Sequence, residues 1–307
     1  MRKFENNILL FSVMLCWASA YVFIKSLPED LSDFGYLALM NSIAALILFL
    51  MFGKRLVKAK KKTFLHGLVL AALMTMVLLC EKEGIERLAP ASASILSSLD
   101  IVFVPVLMLF LRKFPSKAQV IGIVFILAGV FVSNGVTLRD FPMAGSLFML
   151  GDCLCMSFYT VVSNRYCQED DPIVLAVVQL AFMGLIAMIA WNIESPGMIF
   201  RLEYTRSFLS ALFVLAIFSK AFAYIMLMYG EKYGDPINVV LIFALEPVVT
   251  LILSVTIPES FGGVEETFRM TALIGAILIV IGSSIANLDW QLIADRVRSR
   301  RKKDGAV

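Results

Sequence analysis

Residues 120–134 read VIGIVFILAGVFVSN, and residues 273–287 read LIGAILIVIGSSIAN. Laid on one another at an offset of 153, Ile121-Gly122 meets Ile274-Gly275, Gly129 meets Gly282, and Asn134 meets Asn287. The match continues upstream. At an offset of 146, Gly84 meets Gly230, Pro90 meets Pro236, Leu99 meets Leu245 and Asp100 meets Glu246. At an offset of 138, Ser19 meets Ser157, Tyr21 meets Tyr159, Leu37-Ala38 meets Leu175-Ala176, and Asn41 meets Gln179. The offset changes only between apolar runs, as loop insertions require. The chain therefore reads as two copies of one unit.

Composition sets the solvent. Hydrophobic residues make up 60% of the 307, charged residues only 17%, and the mean hydropathy is +0.86. A soluble chain is nearer half apolar and a quarter charged. About 20 apolar residues cross the hydrocarbon as a helix. Apolar runs stand at 7–26, 34–53, 64–80, 91–111, 118–136, 144–163, 172–193, 207–228, 236–257 and 270–287. The expectation is an all-α membrane protein of ten transmembrane helices in a single domain, 1–307. Repeats at 7–136 and 144–287 each hold five helices, and a basic tail follows at 288–307. Five is odd, so the second copy enters the membrane inverted. Pro172 and Pro236 fall at first-turn positions, where a missing N–H costs nothing, and Pro28-Glu29-Asp30 and Asp140 to Pro142 mark further corners.

Lysine and arginine orient the chain. With the N-terminus inside, inner segments carry 19 of them and outer segments 6, with Lys25 and Lys220 inside spans. Both termini are thus expected to face the cytoplasm from a cell membrane. The net charge of +3 follows this asymmetry and does not indicate nucleic acid. Arg2-Lys3, an apolar run and Ala18-Ser19-Ala20 imitate a signal peptide, but the repeat needs that segment as a helix. The five cysteines read as reduced core residues, and the single histidine, His66, rules out a histidine-rich metal site. Nothing calls for a cofactor.

Charges at mid-bilayer each cost about 2.5–3.5 kcal/mol on the insertion scale and mark functional candidates. Asp100, Asp152, Lys220 and Glu246 stand well inside runs. Asp100 and Glu246, repeat mates, either bind a substrate's cationic group, carry a coupling proton, or pair with Lys220. Lys220 pairs with Glu246 or Asp152, or meets a substrate carboxylate; Asp152 has a hydrogen bond to a neighbouring helix as its neutral alternative. Glu81 is the deepest of a charged cluster that otherwise reads as a solvated rim. Trp17, Tyr21, Tyr159 and Tyr224 supply aromatic walls or face lipid. Ser19, Ser98 and Ser157 suit binding or close helix approach, and Asn41 and Gln179 read as interhelical hydrogen-bonding residues. Gly122, Gly129, Gly275 and Gly282, seven apart on one face, are packing residues.

The Ile-Gly-x6-Gly pair, the run ASASILSSL from Ala91 to Leu99, and Leu245-Glu246-Pro247-Val248 together resemble the drug/metabolite transporter superfamily, and within it the EamA type. Trp17-x-Ser19 and Ser157-x-Tyr159 fit, and the resemblance covers about 7–287. It implies ten helices in a bacterial inner membrane, export or exchange of small metabolites, and a central cavity lined by spans 1, 3, 4, 6, 8 and 9. Three positions depart from the family pattern. Asn41 stands where many relatives have arginine, Ile101 replaces a proline that Pro247 keeps in the other copy, and Arg112-Lys113 replaces Gly-Glu at the end of span four.

The function expected is secondary transport of a small metabolite by alternating access, most simply export of amino acids or related amines, with or without a coupled proton. Inverted repeats place such a site at the midplane. A nucleotide-sugar or phosphate-ester antiporter needs several cavity cations, and only Lys220 and Lys25 qualify. A non-transporting receptor or scaffold leaves the buried charges without a use. A membrane enzyme lacks a nucleophile with its base, a metal cluster or a phosphate loop; Glu259, Glu265 and Glu266 lie on one loop and read as solvated.

Overall fold

The computed structural model describes residues 3–24, 31–88, 96–134, 142–246, 248–249, 252–253 and 270–287. Lys25, the Pro28-Glu29-Asp30 corner, Pro90, residues 91–95, Asp140, Pro247, the loop Pro258 to Arg269 and the tail 288–307 lie outside them, as does the side chain of Tyr21. The described residues are helical, without a strand. In order they form α1 (Lys3–Ile24), α2 (Asp33–Leu56), α3 (Lys61–Ile85), α4 (Asp100–Phe110), α5 (Lys117–Asn134), α6 (Met143–Glu169) and α7 (Pro172–Glu194). Then comes α8, one rod built from Arg206–Leu215, a π-helical stretch Ala216–Phe222, and Ala223–Tyr233. The last two are α9 (Pro236–Phe243) and α10 (Met270–Asn287).

Among the described residues six helices are long and apolar enough to cross a membrane: Asp33–Leu56, Lys61–Gly84, Met143–Glu169, Pro172–Glu194, Phe208–Tyr233 and Met270–Asn287. Their ends carry the expected caps. Ser32 accepts from Gly35 N at 3.2 Å, Asp171 from Ile173 N at 2.9 Å, and Thr205 from Phe208 N at 3.2 Å. Pro172 and Pro236 open α7 and α9 as expected. The polarity is that of a chain dissolved in lipid. Leu50, Phe110 and Ile193 are 74%, 81% and 77% exposed, whereas Asn41, Gln179 and Glu231 are fully buried.

Helices pack in antiparallel pairs. A Cβ added to Gly122 would lie 2.6 Å from the Gly282 carbonyl oxygen, and one on Gly129 2.6 Å from that of Gly275. The contact therefore descends α10 as it climbs α5, and it is reciprocal, since Gly275 meets the Gly129 carbonyl and Gly282 that of Gly122. In the same way Gly35 faces Trp191 and Gly184 faces Ser42, so α2 and α7 are antiparallel. Asn6 reaches Gly230 and Trp17 reaches Ser219, which sets α1 against α8. Met149 covers Gly84 while His66 stacks on Tyr166, which sets α3 against α6.

Among the described residues the main contacts between the first five helices and the last five have a symmetry, which contacts within each half do not share. Beyond these four pairs, α4 packs on α9, α3 on α7, α2 on α8, α4 on α6, and α1 on α9. Exchanging each of the first five helices with its counterpart among the last five returns the same set. One apolar core runs through α1, α2, α3, α6, α7 and α8 around Leu10, Leu70, Tyr159, Leu175 and Met228. A second joins α4, α5, α9 and α10 around Ile101, Ile126, Leu241 and Ile279.

The two spans expected at 91–111 and 236–257 are not regular where described. Residues 98–99 and 244–245 are turns rather than α-helix. Leu99 N donates to Leu96 O at 3.1 Å, and Leu245 N to Ile242 O at 3.0 Å, so the ladder tightens to i−3 at matching places. Periodicity does not reveal this, because a tightened turn keeps the apolar face in register.

At its far end α4 stops on Arg112 with φ 60°, a left-handed conformation, and Lys113 N closes on Met108 O at 2.9 Å. A side chain there costs roughly 1–2 kcal/mol that glycine does not. Arg112→Gly is expected to raise stability by about 1 kcal/mol. Gly129→Val or Gly275→Val, which push a branched side chain into a backbone carbonyl, are expected to cost about 1–3 kcal/mol each. Melting of the purified protein in detergent measures both, and a neutral Gly275→Val would show that the glycine seam is loose.

Candidate functional site

The site is organised by α8. Its π-helical stretch, Ala216–Phe222, carries Lys220, and such wide turns in an α-helix recur at functional sites because they displace the ladder. Lys220 is 8% exposed, and its Nζ stands 5.7 Å from the centre of the Tyr224 ring. A desolvated ammonium gains from the negative face of such a ring. Across from it on α1, Trp17 Nε1 donates to the Ser219 carbonyl at 3.2 Å. The indole also meets Tyr224 edge-on at 6.2 Å and Phe243 of α9 at 5.3 Å. Trp17 and Tyr224 thus wall the lysine rather than face lipid.

Four acids are linked to one another electrostatically, and one of them, Glu81, to the lysine. Glu81 of α3 is half-buried and acts electrostatically on Lys220. Asp152 of α6 is 7% exposed and feels the charges of Glu81 and Asp100. Glu246 feels the same two. Among the described residues Lys220 has no ion pair within 4.0 Å, so neither expected pairing, with Glu246 or with Asp152, is made; the acid nearest in effect is Glu81. Asp100 and Glu246 directly follow the two tightened turns at 98–99 and 244–245. One of those turns is braced from α6, where the Cys153 thiol donates to the carbonyls of Leu96 (2.8 Å) and Ser97 (3.3 Å). Cys153 is therefore a reduced buried thiol with a polar task.

The remaining candidates divide. Tyr159 is fully buried, and its hydroxyl is bonded to Gln179, which donates to it from Nε2 at 3.1 Å. Gln179 is thus the interhelical link expected. Asn41 and Ser157 are fully buried with side-chain polar atoms that find no partner among the described residues. Ser19 turns its hydroxyl to Cys16 O at 3.0 Å within its own helix. Ser98 forms part of the first tightened turn. Tyr21 stands on α1, its side chain outside the described residues.

Sequence reading missed a second polar layer, at the end of the bundle where α1 and α3 begin and α6 and α8 finish. There Asp170 Oδ1 accepts from Thr63 at 2.6 Å and Oδ2 lies 2.5 Å from His66 Nδ1, with the imidazole stacked on Tyr166 at 3.7 Å. Asn164 Nδ2 donates to the carbonyls of Glu231 and Gly234, and Asn6 Nδ2 to Gly230 O at 3.2 Å. Gln119 Nε2 reaches Asp235 at 3.3 Å and Asn238 at 3.2 Å. These side chains sit at span ends, where composition reads them as solvated. Only their partners on distant helices, up to 224 residues away in sequence, make them internal.

The EamA-like transporter family model matches residues 6–135 and again 143–288. The chain belongs to that family. Its similarity to an uncharacterized transporter of Archaeoglobus fulgidus is 27% identity over 287 residues, 91% of this chain and 96% of the relative. The uncharacterized transporter YyaM of Bacillus subtilis is 22% identical over 205 residues, 65% of each chain. A solved crystal structure shares the fold at a TM-score of 0.72 and 21% identity, covering 95% of this chain and 98% of that one. The chain is thus a multi-pass membrane protein of a transporter family, as the repeat motifs had suggested.

Trp17→Phe keeps the ring and removes the N–H that fixes α1 to the π-helical stretch. It is expected to cost about 0.5–1.5 kcal/mol, read as a lower melting temperature, while Trp17→Tyr, with a donor at a different place, does not restore it.

Proposed function

We propose that the chain is a secondary transporter of a small metabolite working by alternating access, most simply an exporter of amino acids or related amines. The observation that carries this reading is the antiparallel contact of counterparts, α2 with α7 and α5 with α10. Helices that correspond in the repeat but run opposite ways are what two inverted five-helix halves, 7–136 and 144–287, produce. Two such halves rocking about a shared centre expose one site to each side in turn. The reading includes ten spans in a bacterial inner membrane, and the positive-inside count supports both termini facing the cytoplasm.

The chemistry of the centre selects the substrate class. In this reading the buried ammonium of Lys220, which Glu81 and the Tyr224 ring face, shares one centre with the carboxyls of Asp100, Asp152 and Glu246, which interact with Glu81 or with one another, and with the Trp17 ring against Tyr224. A zwitterion satisfies both signs: its carboxylate meets Lys220 and its ammonium the acids, with an aromatic wall for the apolar remainder. Ser98 adds a neutral partner. A sugar nucleotide brings two or more phosphate charges, and among the described residues Lys220 is the one lysine of the site, which argues against it.

A thermal-shift screen of the purified protein against amino acids, polyamines and sugar nucleotides tests the class. A true ligand at 100 times its Kd adds about 2.7 kcal/mol. An amino acid or amine is expected to raise the melting temperature, and Lys220→Met to abolish the response to amino acids while sparing any response to polyamines. Stabilisation by sugar nucleotides alone would sink the proposal, as would uptake into vesicles unchanged in Asp100→Asn and Glu246→Gln.

A further inference from the structure

Glu231, three residues from the end of α8's last segment, is fully buried, and neither of its carboxyl oxygens has a hydrogen-bond partner among the described residues. Ser163 stands beside it with its hydroxyl turned to Thr160 O at 3.1 Å, free to rotate to the carboxyl. Around it α6 places Tyr159 and Cys167, the corner before α9 places Asp235, and α1 covers the adjoining Gly230 with Leu10 and with the amide of Asn6. Among the described residues it makes no ion pair within 4.0 Å, and the Nζ of its sequence neighbour Lys232 is bonded at 3.4 Å to the Asp170 carbonyl.

An ionised carboxylate stripped of both water and counter-charge is strongly disfavoured, whereas the same group carrying a proton is merely polar. The contacts over it are ones that water can replace. At this end the seam between α1, α6 and α8 is made by side-chain bonds to backbone carbonyls: Asn6 to Gly230, Asn164 to Glu231 and Gly234, Gln168 to Lys232, and Lys232 to Asp170. Further in, the core of the same helices is apolar.

We propose that Glu231 is a proton-binding site of the carrier. It holds a proton while α1, α6 and α8 are closed around it. When the three helices part at this end, the carboxyl O–H bond breaks, the proton passes to water on the side taken as cytoplasmic, and the carboxylate stays hydrated until closure requires a proton again. The inference rests on the alternating-access reading, and it places proton exchange at the seam, away from the lysine and the four acids at the centre.

Infrared spectroscopy of the full-length protein in detergent tests it without any substrate. At pH 7 the wild type is expected to show a protonated-carboxyl C=O band that is missing from Glu231→Gln. In Asn6→Ala/Asn164→Ala, whose seam is loosened, that band is expected to give way to carboxylate absorption at pH 8, where the wild type keeps it. Absence of any Glu231-dependent band overturns the proposal, and so does a band unmoved by the loosened seam, which marks a static structural proton. A band that changes when sodium replaces choline overturns it in favour of a metal cation. If the double variant does not fold, the wild type in deuterated water decides: exchange of the carboxyl within seconds to minutes supports an opening seam, and no exchange over hours overturns it. These readouts stand apart from the ligand screen, so either result can fail without the other.

Discussion

Hydrocarbon offers no hydrogen bonds, and every other feature of this molecule follows from that. A backbone N–H or C=O facing lipid must be satisfied within its own segment, which leaves the helix as the unit of construction. Lipid also removes the drive that brings helices together in water, because a leucine is as well solvated by acyl chains as by another leucine. Association then depends on close contact and on polar groups that only a neighbouring helix can satisfy. The glycines of α5 and α10 supply the first, with the backbone of one helix against the carbonyls of the other. The amides of Asn6 and Asn164 supply the second.

The same constraint explains where regular helix is given up. The ladder departs from i→i−4 at the π-helical stretch of α8 and at the turns before Asp100 and Glu246. In each place the displaced carbonyls face protein rather than lipid. The Ser219 carbonyl takes the Trp17 indole, and those of Leu96 and Ser97 take the Cys153 thiol. Departures of this kind are tolerated inside a bundle and excluded on its outer face. They gather on α4, α8 and α9, beside the residues whose charge is hardest to place in lipid.

Polar groups thus form two layers with different characters. The central one holds a lysine, carboxyls and aromatic rings, and among the described residues its lysine makes no ion pair within 4.0 Å. The layer at the end of the bundle is dense in bonds: Asp170 with Thr63 and His66, Asn164 with two carbonyls, Gln119 with Asp235 and Asn238. These bonds join the helices at that end, and the Glu231 carboxyl lies among them without a partner of its own among the described residues.

The sequence alone determined the solvent, the helices and the duplication, because apolar run length and offset matching are local properties that survive in any conformation. It also named Lys220, Glu81, Asp100, Asp152 and Glu246, since a charge inside an apolar run is visible without a fold. Only the tertiary structure decided which of them meet. Lys220 answers to Glu81 and the Tyr224 ring rather than to Glu246 or Asp152, and Glu231, at a span end where composition reads solvent, is fully buried. Burial depends on what other helices bring alongside, and a partner more than two hundred residues away leaves no trace in the local pattern.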